Sequence, residues 1–141
     1  SGQSNGPSGP VEALMITTVL IGLVALAHVW FLVLEMFLWT KPFGLKTFKM
    51  TPERAETTRV LAQNQGLYNG FLAAGLVFGF FLKDPASALA VETFFLGCVI
   101  VAGLYGAATA SRAILFIQAL PAAAALVALW TLGMPCCCCA A

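Results

Sequence analysis

Charge is scarce in this sequence. Asp, Glu, Lys and Arg make up 9% of the 141 residues, where a soluble domain has about 25%, so water is a poor solvent for most of the surface the chain would present. With one histidine and two tyrosines, few groups remain for acid–base chemistry. The net charge is +1, and a balance so near neutrality gives no reason to expect nucleic acid as a partner. No Walker loop, dinucleotide fingerprint or HExxH motif occurs. Cys98 stands alone as a small core residue, and the four consecutive cysteines at 136–139 lack the spacing of a zinc site. Nothing sets a nucleophile beside a base. No catalytic residue and no metal site is expected, and an enzyme is the less favoured class.

What is present is apolar. Hydrophobic residues make up 60% of the chain and the mean hydropathy is +0.92. They fall in long blocks rather than alternating with polar residues as an outer-membrane strand would require. A bilayer-spanning helix needs about 20 apolar residues at a rise of roughly 1.5 Å each. Four blocks qualify, at 13–39, 60–82, 87–110 and 113–132. The expected fold is all-α, an antiparallel bundle of four transmembrane helices occupying residues 13–133. Residues 1–12 are polar and rich in Gly and Pro and read as a disordered tail; residues 134–141 read as a Cys/Ala-rich tail. Ser1 would mark a processing site or a cloning scar. Pro121, inside the fourth block, is expected to kink that helix and free a carbonyl that must find a partner in the bundle.

The connections set the orientation. Asp84-Pro85 supplies an N-cap and a first-turn proline, so the second and third spans are antiparallel neighbours. Thr51-Pro52-Glu53 is a similar start signal and predicts that the second helix begins in water at Pro52. Between Trp39 and Pro52, Phe43, Leu45, Phe48 and Met50 interleave with Lys41, Lys46 and Lys49, a composition suited to a loop in the headgroup zone. Lys41, Lys46, Lys49, Arg54, Arg59 and Arg112 all fall on one side, and only Lys83 on the other. Positive charge stays on the cytoplasmic, matrix or stromal side. Both termini are therefore expected on the opposite face of an organellar or bacterial inner membrane.

Polar residues recur at similar depths. Glu35 lies four residues inside Trp39, Gln65 six inside Arg59, Tyr105 seven inside Arg112 and Gln118 six beyond it. Each is roughly 6 to 10 Å below the basic surface. Deeper still, His28 lies eleven residues inside Trp39 and Asn69 ten inside Arg59, again level with each other. His28 and Glu35 are seven residues apart on one helical face, and Gln65 with Asn69 and Asn64 with Tyr68 form two i, i+4 pairs. The expected cluster is His28, Glu35, Asn64, Gln65, Tyr68, Asn69, Tyr105 and Gln118. Taken singly, the amides read as packing determinants, since interhelical hydrogen bonds fix the register of small bundles. Glu35 has the stronger claim to function, because a carboxylate in the bilayer is costly and marks ion, proton or ligand sites. Arg112 could also neutralise it by reaching in from the interface. Glu92, near the opposite surface, is expected to face water there.

Small residues form rows, Gly66, Gly70 and Ala74 on the second span and Gly103, Gly106 and Ala107 on the third, that allow close helix approach. The blocks His28 with Glu35-Met36-Phe37-Leu38-Trp39, then NQGLYNGFLAAGL at 64–76, then AGLYGAAT at 102–109 resemble a small four-span family catalogued as domain of unknown function 1304. The resemblance covers residues 13–132 and implies a four-helix membrane protein, without carrying over an activity. The polar N-terminal tail and the CCCCAA end depart from the compact pattern of that family.

Three functional readings follow. The first is an accessory or structural subunit of a larger membrane assembly, in which His28, Glu35 or an amide could ligate a pigment or haem; a homodimer is the partner the second reading would need. The second is a small proton- or cation-coupled transporter or channel using Glu35. The third, an enzyme acting on a lipid or quinone, ranks last, because His28 and Glu35 are about 10 Å apart along their helix.

Overall fold

The protein, represented by a computed structural model, is described over residues 9–133. Most of the expected polar tail and the whole cysteine run at 136–139 lie outside those residues. The helices are α1 (Pro10–Met36), α2 (Pro42–Phe48), α3 (Pro52–Phe81), α4 (Pro85–Thr109) and α5 (Leu120–Leu132), the last entered through a π-helical turn, Leu115–Ala119. No strand occurs among the described residues, and the fold is all-α.

Proline starts these helices. Pro10, Pro42, Pro52 and Pro85 each occupy the first helical position, where a fixed φ suits the helix and the missing N–H is no loss. Thr51 caps α3 by accepting from the Arg54 N–H at 3.3 Å, and Asp84 caps α4 by accepting from the Ser87 N–H at 2.9 Å. α1 begins three residues before the expected boundary at 13 and ends at Met36. Residues 37–41 form a turn, so Trp39 is not part of the helix.

The segment expected as an interfacial loop contains a short helix. α2 closes on Lys49, which takes the left-handed conformation at φ 50° and lets the Met50 N–H reach the Leu45 carbonyl at 3.0 Å. Lys41, Lys46 and Lys49 are exposed beside exposed Phe43 and Phe48. Trp39 stacks on Phe48 with ring centroids 4.6 Å apart and donates to Thr58 Oγ1 at 3.1 Å, which fastens this segment to the start of α3.

Among the described residues, three segments are long and apolar enough to cross a membrane: Val11–Met36, Pro85–Thr109 and Leu115–Leu132. That is consistent with an integral membrane protein. α3, at 30 residues, is longer than any of them, but Gln63, Asn64, Gln65 and Asn69 dilute its apolar content. α1 packs against α3 and α5, α3 against α4, and α4 against α5 and its π turn. Each neighbour is antiparallel: Glu35 meets Asn69, Gly75 meets Phe95, Gly103 meets Ala119, and Thr17 meets Ala128. The buried stripes follow helical spacing, Ala13, Thr17, Ile21, Val24 and His28 on α1 and Ala88, Glu92, Leu96, Val99 and Gly103 on α4. Between them lies an apolar cluster that includes Ile21, Leu76, Leu96, Val99, Ala122, Ala125 and Leu129.

The expected consequence of Pro121 takes a specific form. A proline there offers no N–H to Ile117 and its ring would crowd that carbonyl in a regular helix. The chain widens instead, with the Leu120 N–H bonded to the Leu115 carbonyl five residues back, as in π-bulges elsewhere.

Candidate functional site

Two buried polar pairs stand out in the half of the helices nearer the basic segments. Gly66 and Gly70 let α1 press close to α3, since a Cβ at Gly66 would lie 2.7 Å from Met36 Cγ and 3.2 Å from the Leu32 carbonyl oxygen. That contact brings Asn69 to Glu35, and Asn69 Nδ2 donates to Glu35 Oε2 at 2.7 Å. Asn69 is 6% exposed and Glu35 half-buried.

The second pair joins α1 to the π turn. His28 is 1% exposed, and its Nδ1 lies 2.8 Å from the Val24 carbonyl oxygen. A carbonyl can only accept, so Nδ1 carries the proton and Nε2 is left to accept. Gln118 Nε2 faces it at 3.4 Å and supplies the donor. Phe31 closes the ring's flank at a centroid distance of 5.5 Å.

The other expected members of the cluster are elsewhere. Asn64, Gln65 and Tyr68 are exposed on α3, and Tyr105 is 72% exposed on α4. A residue count along a helix gives distance along its axis and does not fix direction. The packed face of α3 is set by Ala62, Gly66, Asn69 and Ala73, and the polar residues at 64, 65 and 68 flank it. Tyr105 is two residues, about 200°, from buried Gly103. Asn69, rather than Gln65, reaches Glu35: Gly66 sits beside Glu35, where an added Cβ would lie 3.1 Å from Glu35 Cβ, while the Gln65 side chain turns outward. Arg112 does not neutralise Glu35. The one ion pair among the described residues is Arg59 with Glu56 at 3.4 Å, between exposed side chains.

The expectation that Glu92 faces water near the opposite surface is overturned. Glu92 is 0% exposed and does not face water. It lies eleven residues before Gly103, just over three turns along one stripe, and four before Leu96. Continuing the small-residue face of α4 back from Gly103 would have found it.

The family described as a protein of unknown function, DUF1304, matches residues 22–130. The chain belongs to that family. Both polar pairs and Glu92 lie inside the match. A DUF1304 chain of this kind is 31% identical over 106 residues to "Uncharacterized protein YpaA" of Lactococcus lactis subsp. lactis (strain IL1403), covering 74% of this chain and 87% of that one. No solved structure matches.

The chemistry open to this DUF1304 chain is bounded by those partners. Among the described residues, no group of three His, Cys, Asp or Glu side chains could hold a metal ion. His28 could ligate a haem or pigment through Nε2 only if Gln118 gave way, since that is the lone pair the amide meets. Glu35 and His28 engage different helices, so neither serves the other as an acid–base partner.

Proposed function

We propose that this protein is a small integral membrane subunit that crosses the bilayer four times, with α3 as the fourth span, and works as a structural or accessory part of a larger membrane assembly. The observation that carries this reading is the outer face of α3. Asn64 and Gln65 are exposed and make no hydrogen bond within the described residues, yet by helical rise they lie roughly 8 Å inside Arg59. An amide with no partner in hydrocarbon costs several kcal/mol. A second protein surface with polar groups of its own would satisfy them and would allow α3 to span. On the same reading, both termini face away from the basic residues.

The transport reading is supported by the Glu35–Asn69 pair but meets an obstacle. The apolar cluster of Ile21, Leu76, Leu96 and Val99 fills the helix interior on the far side of His28 and separates the two pairs from the buried polar groups nearer the other end, Thr17 and Glu92.

The test is purification in mild detergent followed by native mass measurement. Assembly predicts a species heavier than the 14.8 kDa chain, lost when Asn64 and Gln65 are both replaced with Leu. A wild-type protein that is monomeric in membranes as well as in detergent would refute the assembly.

A further inference from the structure

Glu92 takes no part in the pairs above or in the outer face of α3. It sits eight residues, about 12 Å, inside the N-cap Asp84 of α4. Both carboxyl oxygens are buried and neither has a hydrogen-bond partner. The group is aimed at α3, where Gly79 leaves the space it fills: a Cβ there would collide with Oε1 and lie 2.6 Å from Cδ. On one side Leu96, Val99 and Leu76 are packed at 0% exposure. On the other is the short α3–α4 connection.

The surrounding charges do not reach it. The α3–α4 connection brings Lys83, four residues beyond Gly79 and exposed; the N-cap of α4 brings Asp84, exposed and bonded to Ser87; α1 brings Glu12, exposed. α5 carries no charged residue between Leu120 and Leu132. Thr93, next to Glu92, accepts from Trp130 Nε1 at 3.2 Å, and Thr17 donates to the carbonyls of Ala13 and Ala128. A carboxylate at this position would hold a full charge with neither counter-ion nor donor, a state buried groups avoid by neutralising. A carboxylic acid has no charge to desolvate and fits the same space.

We propose that Glu92 is a proton-binding site, a carboxylic acid clamped in the α3–α4 contact at Gly79, and that release of its proton loosens that contact. The step is Glu92–COOH going to Glu92–COO⁻ with the proton passing to water at the α3–α4 connection, the near end of the helices. The carboxylate then follows toward water and draws α4 away from Gly79. The protein would thereby respond to proton activity on the face opposite its basic segments.

Infrared difference spectroscopy on the full chain in lipid nanodiscs tests the first half. A protonated-carboxyl C=O band is expected at neutral pH that shifts in heavy water, persists in Glu35→Gln, moves in Glu92→Asp and disappears in Glu92→Gln. Hydrogen exchange of the α3–α4 amides, corrected for intrinsic rates, tests the second. Wild-type protection is expected to fall as pH rises while Glu92→Gln stays protected throughout. No such band at neutral pH in the wild type, which needs no folded variant, overturns the proposal. Identical pH dependence of exchange in wild type and Glu92→Gln overturns the clamp.

Discussion

Asn69 reaches across the α1–α3 contact to donate a 2.7 Å hydrogen bond to Glu35. Two glycines make this possible, for Gly66 and Gly70 remove the side chains that would hold the two helices apart. Removing the amide with Asn69→Ala is expected to destabilise the protein by on the order of 1 kcal/mol, measured as unfolding in mixed micelles. In an Glu35→Ala background the same change should cost measurably less. Simple additivity would mean that the pair contributes no coupling.

Close approach at Gly66 gives a second prediction, with an internal control. Gly66→Ala places a Cβ against Met36 and the Leu32 carbonyl and should cost about 1–3 kcal/mol through forced separation of α1 and α3. Gly97→Ala meets nothing within 4 Å. Alanine also costs less backbone entropy in a helix than glycine, so this variant should equal wild type or exceed it by up to about 1 kcal/mol, and the two midpoints should separate clearly.

Asp84 links the start of α4 to pH. Hydrogen bonds from the Ser87 hydroxyl, then from the Ser87 backbone N–H, hold its carboxyl below the usual carboxylate range. A lowered value in the folded state means that the cap stabilises above the unfolded value of about 4 and is lost as pH falls through the folded value. Thermal melts should therefore show wild type above Asp84→Ala at pH 7, with the gap closing in acid. A gap of constant size across that range would rule out this linkage.

Pro121 follows the π turn that carries Gln118 and is expected to set where Gln118 points. With Pro121→Ala the Ile117 carbonyl regains a donor, and the π turn at Leu115–Ala119 is expected to tighten to a regular helix. Gln118 then rotates away from His28. Solid-state NMR of the single histidine would register this as a changed Nε2 shift, and an unchanged shift would show that the π turn does not depend on the proline.

Tyr105 offers the complementary test of direction. It is exposed on α4 and far round the helix from Gly103, so Tyr105→Phe should leave stability within about 0.5 kcal/mol of wild type and the His28 signals unmoved. A shift in those signals would put Tyr105 back at the site.

Helix existence, the proline starts and the capping residues were legible in the sequence because they depend on neighbours along the chain: Thr51-Pro52 and Asp84-Pro85 act within one turn. So was the shared face of His28 and Glu35, which helical period alone fixes. The scarcity of charge likewise sufficed to indicate a bilayer environment. What the residue order did not decide was direction. Asn64, Gln65, Tyr68 and Tyr105, expected in the cluster with Glu35, turn outward, and Glu92, at the far end, turns fully inward against Gly79. Rise along an axis is a local property of each helix, whereas the face a residue presents depends on where glycines let another helix approach. Only the packed structure sets that.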